Sequence, residues 1–377
     1  MDMKFLHTPE GVRDIYGNEY AKKLTVETWI LDKIRSYGYE DIQTPTFEFF
    51  DVFSKEIGTT PSRELYKFYD KEGETLVLRP DFTPSMARCA SKYFMDENVQ
   101  IRFCYVGNTF TNTTNLQGKL KEATQMGAEL IGDASVEADA EMAALIIETL
   151  LETGIQDFQL NIGNVEYFKG ICIEAGINEE TESELREYIS GKNYFGAEEL
   201  LIGKNIDPIL RERLLTVTDL FGSTEALSKA KELTGNSRAI QAVERLEKLY
   251  EALCAYGVEK YVSFDLGMLS RYHYYTGVIF KAYTYGVGDA IVTGGRYDTL
   301  LSRFGKNAPA IGFVIVIDDL MAALSRQHIE VKIPDAAMVI TYTQASYKED
   351  LERAKKLRRE GKKVVLSPKK DEEAGYE

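Results

Sequence analysis

The sequence lacks the segments that would place a protein in a membrane or export it. No run of residues approaches the roughly 18–20 consecutive apolar positions that a membrane span needs. The first ten residues, MDMKFLHTPE, also lack the apolar stretch of a signal peptide. We therefore expect a cytoplasmic protein with no membrane contact.

Positive charge is scarce as well. The chain of 377 residues carries 45 basic and 60 acidic side chains, which gives a net charge of −15 at neutral pH. A surface with this balance repels phosphate polymers and anionic membranes. The composition thus argues against a protein that holds nucleic acid without regard to its sequence.

Cysteine is rare, and its positions form no pattern. Cys89, Cys104, Cys172 and Cys254 lie far apart, with neither metal-ligand spacing nor the arrangement of a disulfide framework. We expect reduced side chains that fill the core, and the sequence predicts no metal site and no cofactor. What the chain does contain is 44% hydrophobic residues, which is typical of a globular protein with sizeable cores.

Hydrophobic periodicity predicts an α+β fold. The chain opens with an amphipathic helix whose apolar residues at helical spacing are Tyr20, Leu24, Leu31 and Ile34. Strand patterns at 101–110 and 123–132, joined by a polar loop, are typical of a hairpin with a long connection. From about 178 to 256 the pattern is helical, after which strand patterns return. A strand, a helix and a further strand end the chain as one βαβ unit.

Polar side chains alternate along the run LRPDFT at 78–83. On a strand, alternate residues share a face, so Arg79, Asp81 and Thr83 are predicted to point one way. The alternative is a solvent-facing strand with ordinary alternation.

A similar alternation occurs in QMGAE at 125–129. Gln125 and Glu129 flank Gly127, which would leave the floor between them open to a small ligand. If this face and that of the preceding run line one cavity, two carboxylates, an amide and a hydroxyl converge there. Such a set suits an ammonium group or another ligand with several donors.

Two further runs, SRYHYYTG and TGGRYD, combine aromatic residues with glycine. Tyr274 and Tyr275 offer an apolar wall with polar tips, and Gly294-Gly295 allows close approach of the backbone. Taken alone, a glycine pair at a strand end is more typical of a turn or a bulge than of a binding site.

In order and spacing, these blocks resemble the catalytic core of histidyl-tRNA synthetases. The matching blocks are GVRD, TPTFE, LRPD, QMGAELIG, YYTG, GGRYD and AIGF. The resemblance covers about 1–320 and implies the class II synthetase fold, an antiparallel sheet flanked by helices with a helical insertion at about 178–256. The segment 321–377, a short α/β unit, resembles only the beginning of the family's anticodon-binding domain.

The chain departs from that family at the residues that grip ATP. Where the second class II motif reads Phe-Arg-x-Glu, Thr111 replaces the arginine and Thr113 the glutamate. By the same resemblance the catalytic arginine falls on Ser270 and the arginine of the third motif on Asp319. Adenylyl transfer depends on fixed cations, and one such group is worth about three orders of magnitude in rate. The losses imply a chain without catalytic residues.

The part of the site that holds the amino acid is retained. Six residues match by position those with which the synthetase family holds histidine: Asp81, Thr83, Gln125, Glu129, Tyr274 and Tyr275. Asp81 stands where a glutamate is usual and is one methylene shorter. The resemblance therefore implies a histidine pocket without its ATP pocket.

A synthetase-like core with these losses resembles the regulatory subunits of ATP phosphoribosyltransferase, the first enzyme of histidine biosynthesis. This resemblance implies a non-catalytic protein that joins the short-form catalytic subunit in a hetero-octamer. It also implies that the catalytic subunit needs this partner for activity and for feedback inhibition by histidine. Pro45 lies in a block similar to the first class II motif, which builds the synthetase dimer, so a homodimer within the assembly is implied. No tRNA is expected as a partner.

Two other functions remain open on the sequence. One is an active histidyl-tRNA synthetase, which Thr111, Ser270 and Asp319 argue against. The other is a synthetase paralogue that senses histidine for a different partner.

Overall fold

The fold is built on a nine-stranded sheet. The computed structural model describes residues 6–53, 60–96, 99–113, 120–269 and 274–369. In spatial order the strands are β1 (Glu40–Asp41), β5 (Ile101–Phe110), β6 (Glu122–Ile131), β12 (Ala310–Val316), β11 (Val292–Arg296), β10 (Val278–Thr284), β7 (Phe158–Asn164), β9 (Val262–Asp265) and β8 (Phe221–Gly222). From β5 to β7 every neighbouring pair is antiparallel, whereas β1 pairs with β5 and β9 with β7 in parallel. The predicted α+β fold with an antiparallel sheet is confirmed, with parallel pairs only toward its edges.

Two smaller sheets and the helices complete the described part of the chain. One sheet has the order β2 (Phe47–Phe49), β4 (Thr75–Leu78), β3 (Lys67–Tyr69), and the other pairs β13 (Met338–Tyr342) with β14 (Val364–Pro368). The helices are α1 (Gly17–Ser36), α2 (Thr83–Tyr93), α3 (Val136–Glu152), α4 (Val165–Glu174), α5 (Glu179–Ser190), α6 (Tyr194–Gly203), α7 (Pro208–Thr216), α8 (Thr224–Glu232), α9 (Ser237–Tyr256), α10 (Ile317–Arg326) and α11 (Tyr347–Arg359). None of them is long and apolar enough to cross a membrane.

The predicted long hairpin is present and carries one wall of the site. β5 and β6 pair without a break from Ile101 opposite Ile131 to Phe110 opposite Glu122. On its other side β6 pairs with β12, which places Gly312 opposite Glu129. Because this register is fixed over ten residues, the side chains of three adjacent strands face one space.

The main core lies between the sheet and the helices behind it. α3 is apolar over most of its length and buried, and Ser135 caps its start by accepting a hydrogen bond from the Ala138 amide. α1 packs on α3 through Val26, Ile30 and Ile34, an i, i+4, i+8 row. The predicted stripe is wrong at its first two positions, since the side chains of Tyr20 and Leu24 are exposed.

The region between 178 and 256 contains five helices and one element that the sequence did not indicate. α9 is the longest of them and ends at Gly257, whose left-handed φ of 72° is the usual helix stop. α9 packs on α3 and α4, so the apolar residues of this region join the main core. The two-residue strand β8 also extends the nine-stranded sheet by pairing with β9. Such a short strand leaves no detectable alternation in the sequence.

The last described segment is the predicted strand-helix-strand unit. β13 and β14 are parallel, and α11 connects them and covers one face with Ala354 and Leu357. Residues 331–337 join this unit to α10 without regular structure.

Candidate functional site

A cavity of about 690 Å³ opens on the face of the central sheet. The six residues of the predicted histidine pocket all line it: Asp81, Thr83, Gln125, Glu129, Tyr274 and Tyr275. Thr111 and Asp319, two of the positions at which the synthetase motifs are lost, line the same cavity, whereas Thr113 does not. Ser270 lies outside the described residues. Asp81 and Asp319, which lie far apart in the sequence, thus border one space. The alternative of a solvent-facing strand at 78–83 is wrong.

The turn before α2 reaches the cavity by a route that differs from the predicted one. β4 ends at Leu78, so Arg79, Asp81 and Thr83 are not alternate residues of a strand. The Asp81 carboxylate accepts a hydrogen bond from the Thr83 amide at 3.1 Å, which fixes both side chains at the helix start. Removal from water raises the pKa of Asp81.

Arg79 points away from the cavity, contrary to the sequence interpretation. Its guanidinium donates to the backbone oxygens of Asn108 and Thr44 at 2.8 and 3.0 Å and covers the ring of Phe82. This buried side chain ties the turn to β5 and to the segment before β2. Its role is structural, because its donors are directed at backbone oxygens and its side chain does not line the cavity.

Glu129 is the most buried acid of the cavity, with 1% of its surface exposed. One carboxylate oxygen accepts from the Tyr297 hydroxyl at 2.5 Å and the other from the Thr83 hydroxyl at 3.2 Å. Burial raises the pKa of Glu129 to about 8, the two hydroxyl hydrogen bonds oppose the shift, and the nearby Asp81 adds to it. With a pKa of about 8, Glu129 is mostly protonated at neutral pH, and a cationic group beside it would favour the carboxylate form.

Glycine is required at the floor of the cavity, but at a different position from the predicted one. A β-carbon on Gly312 would lie 1.6 Å from the carboxylate of Glu129, so only glycine allows this approach. The space above Gly127 is not open, since a β-carbon there would meet the Tyr105 hydroxyl at 2.5 Å and the Phe313 oxygen at 2.2 Å. The prediction of an open floor at Gly127 is wrong because a tyrosine from β5 fills it.

Aromatic rings form the inner wall. Tyr274 and Tyr275 lie with ring centres 4.6 Å apart, and Tyr297 stands perpendicular to Tyr274 at 6.0 Å. Gly295 makes this packing possible, since a β-carbon there would come within 2.9 Å of the Tyr275 ring. In the sequence, Tyr297 stands out only as part of the block GGRYD. Its place in that block, two residues after the glycine pair, was the available signal.

The inner part of the cavity also presents an unused acceptor. The side-chain oxygen of Gln125 is buried and accepts no hydrogen bond from any described residue. A buried acceptor without a partner is costly, so it favours a ligand that brings an N–H group.

Carboxylates dominate the rest of the lining. The five acidic residues that border the cavity are Asp81, Glu129, Asp289, Asp318 and Asp319. No lysine or arginine appears among its lining residues within the described ranges. Lys23 lies behind the wall, where it donates to the Thr124 hydroxyl at 2.6 Å and pairs with Asp318 at 3.9 Å. This environment suits a cationic nitrogen and opposes a polyphosphate.

The fold defines a protein of the class II synthetase type, with the cavity on the face of its central sheet. The histidyl-tRNA synthetase family model matches residues 11–320. A histidyl-tRNA synthetase from a Nostoc species shares the fold, with a TM-score of 0.81 at 23% identity over 97% of this chain and 86% of that chain.

Sequence comparison narrows the assignment. A protein of Ruminiclostridium cellulolyticum named ATP phosphoribosyltransferase regulatory subunit is 41% identical over 359 residues, covering 95% of this chain and 86% of the relative. A crystal structure from Bacillus halodurans, described as an ATP phosphoribosyltransferase regulatory subunit/histidyl-tRNA synthetase, matches with a TM-score of 0.87 at 34% identity, covering 96% of this chain and 92% of that chain. The chain belongs to the family of ATP phosphoribosyltransferase regulatory subunits. The name of these relatives agrees with the prediction of a non-catalytic protein.

Proposed function

We propose that the protein is the non-catalytic regulatory subunit of ATP phosphoribosyltransferase and binds histidine in the cavity around Glu129. In this proposal the short-form catalytic subunit requires it for activity and is inhibited through it by histidine, within a cytoplasmic hetero-octamer. The observation that carries the proposal is that one cavity combines the retained amino-acid residues with Thr111 and Asp319 at the positions of two synthetase arginines.

The inner part of the cavity has groups that complement histidine. Histidine offers an ammonium group and an imidazole, both of which present N–H donors. Asp81, Glu129 and the side-chain oxygen of Gln125 are acceptors that border one space. Tyr274 and Tyr275 add flat apolar surface against which a ring can pack. The set is rich in acceptors, as a ligand with several donors requires.

The outer part of the cavity argues against adenylation. Asp319, the first-turn residue of α10, faces the same space as Thr111. An aspartate facing a polyphosphate adds repulsion on the order of a few kcal/mol at an effective dielectric near 20. We therefore infer that the protein binds histidine without activating it.

An exchange assay separates this function from that of a synthetase. With purified protein, we expect no histidine-dependent exchange of pyrophosphate into ATP above background. Robust exchange would contradict the proposal and support an active histidyl-tRNA synthetase.

Reconstitution tests the regulatory role directly. Addition of the protein to a short-form catalytic subunit is expected to raise the phosphoribosyltransferase rate and to make that rate sensitive to histidine.

Gln125→Ala removes the buried acceptor, so histidine should bind roughly three- to tenfold more weakly while activation persists. Gln241→Ala, at an exposed position of α9, is the matched control. If the wild-type protein leaves the rate unchanged, a histidine-sensing paralogue with another partner is the better description.

An exposed apolar face supports a homodimer within the proposed assembly. Three apolar side chains lie side by side across β2, β4 and β3, namely Phe49, Leu76 and Phe68. The ring centres of Phe47 and Phe68 are 5.7 Å apart. Phe47 and Phe49 are 51% and 58% exposed in the single chain. Contiguous apolar patches of this kind mark interaction surfaces, and this one begins two residues after Pro45. The net charge of −15 supports the further proposal that tRNA is not a partner.

A further inference from the structure

Tyr297 holds Glu129 in a fixed position from the side opposite Thr83. Both residues are almost completely buried, and the Tyr297 hydroxyl donates to a Glu129 oxygen at 2.5 Å. The backbone of Gly312 closes over that same oxygen, because a β-carbon on Gly312 would lie 1.6 Å from it. This carboxylate oxygen therefore lies between a tyrosine hydroxyl and a glycine.

We infer that Tyr297 is a positioning residue that holds the Glu129 carboxyl group in place and favours its ionised form, which the cationic nitrogen of the ligand requires, an inference that rests on the proposed histidine pocket. Tyr297 lies against the carboxyl group itself and donates to one of its oxygens, whereas Thr83, one of the six predicted pocket residues, donates to the other. Removal of this hydroxyl makes ionisation of Glu129 less favourable, while the phenyl ring that remains keeps the shape of the cavity.

The groups that face Glu129 determine the direction in which its pKa changes when the Tyr297 hydroxyl is removed. They are the Asp81 carboxyl from the turn before α2, the Thr83 hydroxyl from α2, Tyr105 from β5 and Tyr297 from the segment after β11, with Tyr275 next to the two tyrosines. The strand β12 contributes Gly312, which has no side chain. Burial raises the pKa of Glu129 to about 8, and the Tyr297 hydrogen bond opposes that rise. Loss of the hydroxyl must therefore raise the pKa of Glu129 further.

A ligand that carries a cationic nitrogen requires Glu129 as a carboxylate. Below the pKa of Glu129, the ligand-free protein must release a proton before or during binding. The apparent affinity is therefore the intrinsic affinity multiplied by the ionised fraction of Glu129. In Tyr297→Phe this penalty is larger at neutral pH. Above the shifted pKa both proteins are ionised, so the penalty vanishes in both.

The test is a comparison of histidine affinity between wild type and Tyr297→Phe by calorimetry from pH 6.5 to 9.5. Titration of histidine itself affects both proteins equally and cancels in the ratio of affinities. We expect Tyr297→Phe to bind about tenfold more weakly near pH 7, which corresponds to a pKa shift of about one unit. The deficit should narrow to within about twofold near pH 9.5.

Two controls distinguish positioning from simple structural damage. Tyr194→Phe, an exposed tyrosine on α6, should match the wild type at every pH. In a Glu129→Gln background, Tyr297→Phe should have no pH-dependent effect, because the group that titrates is gone. A deficit that stays constant with pH would overturn the inference and leave the histidine pocket standing. Failure of the wild type to bind histidine at any pH would overturn the proposed function together with it.

Direct titration tests the same inference if Tyr297→Phe does not fold. The side-chain carboxyl of Glu129, followed by ¹³C NMR and assigned from its loss in Glu129→Gln, should titrate near pH 8 in the empty wild type. Saturating histidine should keep it ionised down to pH 6.5. A carboxyl that titrates below pH 6 in the ligand-free protein would overturn the inference, because a rise in pKa of about one unit would then leave no tenfold deficit near pH 7.

Discussion

At the scale of single residues, Glu129 carries a cost that the fold alone does not require. A carboxyl group that is 1% exposed and has only hydroxyl donors as hydrogen-bond partners is poorly compensated when ionised. An apolar side chain of the same volume would be cheaper in the empty protein. A ligand that supplies the missing positive charge would offset this cost, as the proposed histidine pocket requires.

This cost gives the stability of the empty protein a defined pH dependence. The ordinary pKa of a glutamate is 4.5, whereas that of Glu129 is raised to about 8. Between these values the unfolded chain releases a proton that the folded chain keeps, so the free energy of unfolding falls as pH rises from 4.5 to 8 and levels off above 8. Glu129→Gln removes this slope. We expect the variant to be more stable by on the order of a few kcal/mol at pH 8, with little difference at pH 4.5.

Denaturant unfolding of the ligand-free protein at several pH values measures that difference. Glu198→Gln, at an exposed position of α6, controls for the loss of one acidic charge and should follow the wild type. Equal slopes for wild type and Glu129→Gln would show that Glu129 is ionised in the empty cavity.

The sequence could identify residues of the pocket only through ordered motifs. Alternation alone selected Arg79 together with Asp81 and Thr83, and it was wrong about Arg79, because the strand ends at Leu78 and the chain turns. The six residues taken from the synthetase resemblance do line one cavity, since motifs carry tertiary information that local periodicity lacks. Tyr297 was not selected, because its importance depends on which side chain it meets across the sheet.

At the scale of elements, one buried acid connects the sheet of the site to two helices. Asp139 of α3 is fully buried and accepts from Arg296 of β11 at 2.6 and 2.8 Å and from Arg245 of α9 at 2.6 Å. Arg296 also donates to the backbone oxygen of Asp133 at 2.8 Å. Because Arg296 lies between Gly295 and Tyr297, this network holds the strand that presents Tyr297 to the cavity.

Breaking this network should destabilise the whole protein. Asp139→Asn keeps the size of the side chain but removes the buried counter-charge of Arg296, which is left with only the partly exposed Asp298 carboxylate at 3.2 Å. Loss of one partner of a buried pair costs about 3–5 kcal/mol, and we expect a loss of that size in urea unfolding. Asp32→Asn removes an exposed partner of Arg35 and should cost less than about 1 kcal/mol. A comparable small cost for Asp139→Asn would show that Arg245 and Arg296 find other partners.

Elements with strong local signals were predictable, and those defined by tertiary contacts were not. The hairpin of β10 and β11 follows from alternating residues around a glycine-rich turn, where Gly286 has a φ of 90°. The face of α1 was misjudged at Tyr20 and Leu24, because Val26 and Ile30 offer an equally good helical stripe and packing on α3 decides between them. The strand β8 is two residues long and exists only through its pairing with β9.

At the scale of the whole molecule, part of the acidic excess behind the net charge of −15 lies at the cavity. Five of the acidic side chains border the cavity, where the described lining residues include no lysine or arginine. A general excess of acid says little about function, since it affects solubility and long-range repulsion. Concentrated in a cavity, it favours the proposed cationic ligand over nucleotide phosphates. The positions of Thr111 and Asp319 in that cavity are what connects the composition to a regulatory role.

The exposed phenylalanine face formed by Phe47, Phe49 and Phe68 leads to a prediction about assembly. Two serine substitutions, Phe47→Ser and Phe49→Ser, would remove most of its apolar surface from side chains that are already more than half exposed. Because neither ring is buried in the single chain, the fold should persist, as circular dichroism can verify, while self-association weakens. We expect light scattering to show a dimer for the wild type and a monomer for the double variant.

Tyr285→Ser, at a position that is 79% exposed and far from this sheet in sequence, is the control and should remain dimeric. A double variant that stays dimeric would place the interface elsewhere, since the dimer would then not depend on the face next to Pro45.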